Sequence, residues 1–250
     1  MQKERIQKIL AASGEYSRRQ VERLIDERKI KVNGVVVTQK GLKVDPTQER
    51  IQVAGKAFRF EPPAPIEAVL VHKPRRVVVT RSDPEGRKTI FDLLPKRYAN
   101  FKPIGRLDYN SQGAIILTND GDLILRLTHP RYHLPKVYEV KVSSHPDEKQ
   151  LARLTRGVIL DGVRTLPARI QVQSDGDSST LLRMTLTEGR NRQIRNMCDA
   201  VGLTVKELRR VSIGPIHLKG LRSGDFRPLT PKELRVLLKI TSDDKAVVDE

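Results

Sequence analysis

Cysteine is almost absent from this 250-residue chain: Cys198 stands alone, so neither a disulfide framework nor a Cys-x-x-Cys zinc site can be built. That composition suits a reducing compartment. Tryptophan is missing, and Phe and Tyr number five each, so any stacking on a base falls on few side chains. No stretch approaches the roughly 18 consecutive apolar residues of a membrane span. The opening MQKERIQKIL has neither the apolar core nor the small-residue site of an export signal. A cytoplasmic protein is therefore the expectation. The phosphate-cradling patterns G-x-x-x-x-G-K-[ST] and G-x-G-x-x-G are both missing, as is the G-x-S-x-G elbow of serine hydrolases. His129 and His133 stand four apart, but Pro130 opposes a helix through both, so no metal site is expected. No cofactor is expected either. Any catalysis rests on ordinary side chains.

Acidic residues are also in deficit. Lys and Arg number 47 against 30 Asp and Glu, a net charge of +17. Like charges repel in a compact state, so such a surplus points to a polyanionic partner: nucleic acid, or less often an anionic membrane surface. The surplus is densest at the start: residues 1–60 hold 14 Lys and Arg against 7 Asp and Glu. Ile6, Ile9 and Leu10 recur at helical spacing. Ser17 with Gln20 forms a capping-box pattern ahead of a helix that buries Val21, Leu24 and Ile25. Asn33-Gly34 between β-formers predicts a tight hairpin, and Ile51–Val53 a further strand. Lys3, Arg5, Lys8, Arg18, Arg19 and Arg23 fall on the outer helix faces, which is equally the pattern of a solvated surface.

The stiff segment EPPAP, 61–65, reads as a linker. Residues 66–240 form a second domain. Strands are expected at Ala68–His72, Val77–Thr80, Ala114–Leu117, Lys136–Val142, Ala168–Val172 and Leu181–Thr187. Helices are expected at Asp122–Leu127, Asp147–Thr155, Asn191–Val201 and Pro231–Leu238. Many strands with few helices between them predict an α+β fold around a mixed or antiparallel sheet. The acidic tail, 241–250, is expected to be disordered.

Three segments in the second domain carry chemistry-bearing residues. In GRLD, 105–108, a lone acid sits between an arginine and a polar turn; Asp108 is either a turn residue or a reacting carboxylate. In KVYEV, 136–140, strand alternation makes Tyr138 either a core residue or an aromatic platform. In EGRNRQIRNMCDAVG, 188–202, Ile194, Met197, Cys198 and Val201 form an apolar stripe. Arg195 lies off it, either ion-paired with Asp199 one turn on or reaching to a carboxylate elsewhere.

The first sixty residues, through ERIQKILAASGEYSRRQVERLIDERKIKVNG, resemble the small RNA-binding domain named after ribosomal protein S-four. GRLDYNSQGAIILTNDGDL, KVYEV and EGRNRQIRNM, together with SDPEGRKTIFDLLP and LTHPRY, resemble the bacterial rRNA pseudouridine synthases that carry such a domain, the 23S branch more than the 16S branch. The resemblance covers the chain up to the acidic tail. It implies that Asp108 is catalytic, that Tyr138 stacks on a flipped uracil, that Arg195 pairs with Asp108, and that Arg106 holds RNA. It also implies phosphate contacts from Arg5, Arg18, Arg19 and Arg23, and a monomer acting on rRNA or a pre-ribosomal particle. Three positions depart from the family pattern: Arg76 stands where glycine is usual, Ser111 where threonine is, and Asn196 where arginine is. A non-catalytic rRNA-binding or assembly factor is the competing expectation. A metal-dependent nuclease is a weaker one, because it needs clustered carboxylates or histidines that the sequence lacks.

Overall fold

Apolar residues at helical spacing and one capping box organise the first elements. The computed structural model describes residues 3–61 and 64–240. Strand β1 (Glu4–Arg5) leads into helix α1 (Ile6–Ala12), which buries Ile6, Ile9 and Leu10. Helix α2 (Arg18–Asp26) begins at Ser17. The Ser17 hydroxyl accepts the Gln20 amide, and the Gln20 side chain accepts the Ser17 amide. Strands β2 (Ile30–Val32) and β3 (Val35–Val36) meet at Asn33-Gly34, with φ of 50° and 84°, the positive pair that a type I′ turn demands. Strand β4 (Lys43–Val44) pairs with β1. Strand β5 (Ile51–Val53) pairs with β2, and β6 (Lys56–Ala57) with β5. Val21, Ile25, Ile30 and Ile51 close one core against α1.

The chain divides into two compact units, Met1–Pro65 and Ile66–Glu250. Of the expected linker, residues 62 and 63 lie outside the described residues, as does the whole expected tail, 241–250.

The second unit runs β7 (Ala68–Lys73), β8 (Lys102–Pro103), β9 (Gln112–Thr118), α3 (Gly121–Thr128), β10 (Lys136–Val142) and α4 (Glu148–Arg156). There follow the short hairpin β11 (Ile159–Leu160) and β12 (Val163–Arg164), then β13 (Arg169–Gly176), β14 (Ser179–Leu186), α5 (Gln193–Asp199), β15 (Val205–Ile213), β16 (Ile216–His217), β17 (Phe226–Pro228) and α6 (Pro231–Ile240). The sheet order is β13-β14-β10-β15-β9-β7-β17, with β16 added to β15 and β8 to β9. The β9/β15 pairing is parallel, through Gln112 with Arg209 and Gly113 with Arg210, and the others are antiparallel. The fold is therefore α+β around a mixed sheet.

Sequence pattern explains how each half is covered. The runs in β7 and β9 are apolar without interruption because both faces are buried. Leu70, Ala114 and Ile116 pack under α3 and α6, through Leu123, Leu127 and Leu237. Val69, Val71, Ile115 and Leu117 pack on the opposite side against Val77, Ile90, Tyr98 and Phe101. Strand β14 alternates instead. Leu182, Met184 and Leu186 face Leu154 of α4 and Ile194, Met197 and Cys198 of α5.

Three elements differ from expectation. Val77–Thr80 forms no strand, only a single bridge from Val78 to Thr89; Val77 is used to cap the core beside β7 and β9. Helix α5 begins later than the expected Asn191 because Arg192, at φ 47° and ψ 29°, is left-handed and cannot lie within a right-handed helix, and it ends at Asp199 rather than Val201. The central strand β15 is absent from the sequence reading: VKELRRVSI holds four charged residues and looks like surface. Among the described residues no helix is long and apolar enough to cross a membrane.

Candidate active site

The two halves of the sheet meet at the short parallel contact between β9 and β15, and a cleft of about 400 Å³ opens there. The GRLD segment forms its rim just before β9. Leu107 is buried and anchors the segment, and Ser111 donates its amide to the Asp108 carbonyl at 3.0 Å, closing a turn. The loop after β7 holds the turn from behind: Arg76 donates its amide to the Tyr109 carbonyl at 2.7 Å. Arg76 adopts φ 61° there, the left-handed conformation that glycine takes freely, and its side chain is exposed.

Asp108 is half-buried and lines the cleft. Among the described residues its carboxylate makes no hydrogen bond and no ion pair. Two cations attract it without touching it. Lys73, at the end of β7, is 0% exposed and donates to the Pro74 carbonyl at 2.9 Å. Burial lowers its pKa to about 8; Asp108 opposes that shift, and Arg210 adds to it. Arg195 lies on α5, half-buried. Burial, then its neighbour Arg192, lowers its pKa, with Asp108 again opposing. The implied contact between Arg195 and Asp108 is thus corrected to an electrostatic one. The alternative pairing with Asp199 is not formed either. The Arg195 guanidinium is drawn instead to the carbonyls of Val205 at 3.2 Å and Asn110 at 3.4 Å.

Tyr138 is half-buried. It packs on the core beneath β10 and β14, and it also lines the cleft. Arg106 is exposed on the rim. The EGRNRQ segment forms the facing wall. Glu188 accepts from the Leu166 amide at 2.9 Å and from the Gln193 side chain at 2.5 Å. Arg190 donates to the Val163 and Arg164 carbonyls at 3.0 and 2.7 Å. These residues shape the wall, which leaves the exposed Arg192 at its edge. The cleft therefore brings Asp108, Arg106 and Tyr138 together, while Arg195 is not part of its lining. Arg5, Arg18, Arg19 and Arg23 are exposed in the N-terminal unit.

Lys136 and Arg210 also line the cleft, and sequence reasoning passed over both. Burial, then the charge of Arg210, lowers the Lys136 pKa. The available signal was the alternation Leu208, Arg210, Ser212, which puts all three on one buried face of β15. A second cleft, of about 720 Å³, lies between Arg153, Arg156 and Arg164. Among the described residues no cluster of His, Cys, Asp and Glu suits a metal ion.

The Lys73 charge predicts a pH signature. An unfolded lysine titrates near 10.5, the folded one at about 8. Between these values the unfolded chain binds more protons, so the contribution of Lys73 to stability rises with pH. Below about 8 both states are protonated and the full burial cost is present. Relative to Lys73→Met, the wild type should gain about 2–3 kcal/mol between pH 7.5 and 10.5, as measured by urea unfolding across pH. A difference that stays flat over that interval contradicts the assignment.

Comparison with known proteins gives a consistent family. Residues 67–200 match the RNA pseudouridylate synthase family, and residues 4–49 match the S4 domain. The ribosomal large subunit pseudouridine synthase B of Bacillus subtilis (strain 168) is 39% identical over 244 residues, 97% of this chain and 98% of that protein. An uncharacterized RNA pseudouridine synthase of Aquifex aeolicus (strain VF5) is 40% identical over 240 residues, 96% of this chain and 95% of that one. A solved pseudouridylate synthase superposes with a TM-score of 0.68 at 27% identity, covering 93% of this chain and 99% of its own. With a matched segment longer than half of its 250 residues, and relatives similar along almost its full length, this chain belongs to the RNA pseudouridylate synthase family.

Proposed function

We propose that the protein converts a uridine of 23S ribosomal RNA to pseudouridine, with Asp108 as the reacting carboxylate. The observation that carries this reading is the convergence of Asp108, Tyr138 and several cationic side chains on one cleft. Similarity to large-subunit enzymes supports the choice of RNA. The reaction breaks the C1′–N1 bond and makes a C1′–C5 bond. Its formula is unchanged, so it requires no oxidant and no phosphoryl donor.

The target base must leave its stack to reach the rim, at a cost of a few kcal/mol. The half-buried ring of Tyr138 offers a face for the extruded uracil. Asp108, standing in the field of Lys73 and Arg195, meets the ribose, whose C1′ becomes electron-poor as the base departs. Arg106 and Arg192 at the rim neutralise the flanking phosphates. In the first unit, Arg5, Arg18, Arg19 and Arg23 hold the RNA backbone and choose the region by shape and charge.

Each phosphate contact adds about 0.7–0.9 to the slope of log affinity against log salt. Replacing Arg18, Arg19 and Arg23 together by Ala should lower that slope by about 2–3, as measured by RNA binding at several salt concentrations. An unchanged slope would remove these residues from the RNA interface. The function itself is tested by mapping pseudouridine across 23S and 16S rRNA from cells with and without this protein. Loss of at least one 23S site is expected. Loss confined to 16S would move the assignment to the small subunit, and an unaltered map in both would reject an rRNA target.

A further inference from the structure

Arg210 is a buried guanidinium that no carboxylate among the described residues meets. It lies on β15 and is 4% exposed. Its Nε donates to the Ala114 carbonyl at 2.7 Å, which fixes the plane of the group. Its Nη2 is buried and has no partner among the described residues. Ser111, 0% exposed, has a hydroxyl in the same condition. Both residues line the cleft that contains Asp108 and Tyr138. A buried donor without an acceptor is costly, and a buried cation without an anion more so. Lys136 on the same wall adds a second positive charge. Packing alone explains none of this, since an apolar side chain would fill the position at lower cost.

We propose that Arg210, assisted by Ser111, contacts the target base: it donates to a carbonyl oxygen of the extruded uracil and stabilises the negative charge held by the ring while it is detached from ribose. This rests on the isomerase reading above. When the C1′–N1 bond breaks, its electron pair stays with the base. The charge spreads over N1, O2, O4 and C5. Rejoining uses a pair from C5 to form the C1′–C5 bond; C5 then loses its proton and N1 gains one, so the composition is unchanged. Between the two events the base has no covalent tether, and donors already in place must hold it. A guanidinium that keeps its charge and is locked through Nε meets that need without reorganising.

Thiouridine substrates provide the test, because sulfur accepts hydrogen bonds poorly. RNA carrying 2-thiouridine or 4-thiouridine at the uridine that the wild type converts is compared with unmodified RNA in single turnovers. Arg210→Met should slow conversion of unmodified RNA by about 100-fold or more, with RNA affinity changed by less than about threefold. At least one thio substitution should slow the wild type yet slow Arg210→Met much less, so that the two losses do not add. Arg210→Lys should recover part of the rate. If Arg210→Met fails to fold by circular dichroism, Arg210→Lys and Ser111→Ala carry the same comparison. Losses that add fully for both thio bases, or a wild-type rate in Arg210→Met, overturn the inference. A wild type that makes no pseudouridine in unmodified rRNA would instead overturn the isomerase reading.

Discussion

Asp108→Asn should lose about 10³-fold or more of the rate of pseudouridine formation while folding normally. The substitution keeps the shape of the side chain and removes its charge. Among the described residues the Asp108 carboxylate makes no hydrogen bond, so no structural contact is lost with it. The turn is held by backbone groups: the Ser111 amide on the Asp108 carbonyl and the Arg76 amide on the Tyr109 carbonyl. The missing charge is felt instead by Lys73 and Arg195, the two cations that Asp108 attracts. The Lys73 pKa, already about 8, should fall further, because Asp108 is the group holding it up. The variant is therefore checked by single-turnover conversion, a urea melt at neutral pH, and the pH at which stability begins to rise. Full activity in a folded Asp108→Asn protein would remove the acid from the mechanism.

Gly113→Ala should destabilise the catalytic unit by about 3–5 kcal/mol, combining backbone strain with overpacking. Gly113 sits at φ 121°, where a side chain is strained whatever the space around it. The space is also closed. A Cβ would lie 2.2 Å from the Arg210 carbonyl oxygen and 2.5 Å from its nitrogen, both backbone atoms of the neighbouring strand. Those atoms cannot swing aside as a side chain would. They belong to the parallel contact that joins the two halves of the sheet, so relief must come from parting β9 and β15. Urea unfolding should show a lower midpoint at unchanged slope. The cleft lies at the same seam, so residual activity should fall more than the folded fraction does. A variant as stable as the wild type would mean that the strands do not approach this closely.

Local patterns were legible in the sequence, and cross-strand neighbours were not. Ser17 with Gln20 specified a helix start because a capping box uses only residues three apart. Asn33-Gly34 specified a hairpin because two positive φ values are demanded at adjacent positions. The uninterrupted AIIL run of β9 and the segment 136–142 read correctly as strands. Strand β15 did not, because four charged residues obscure its alternation, and Arg210 is buried where β15 lies between β10 and β9. Val77–Thr80 has strand-forming residues but no ladder partner beyond one bridge. At the site, motif context located Asp108, Tyr138 and Arg106 on one cleft. Of the groups around the carboxylate, Arg195 was expected through the resemblance, and Lys73 was not legible. Lys73 reaches its field from β7 and Arg195 from α5, segments far apart in the chain that only the folded sheet brings together.

The most direct test of the account follows the hydrogen that the reaction must release. 23S rRNA transcripts labelled with tritium at C5 of uridine are incubated with the purified full chain, and tritium in solvent is counted against RNA molecules. Release that levels off at one equivalent per modified site, matched by pseudouridine in the digest and absent with Asp108→Asn, is the predicted result. Tight binding of the same RNA with no tritium released would contradict it and leave a protein that binds RNA without remaking it.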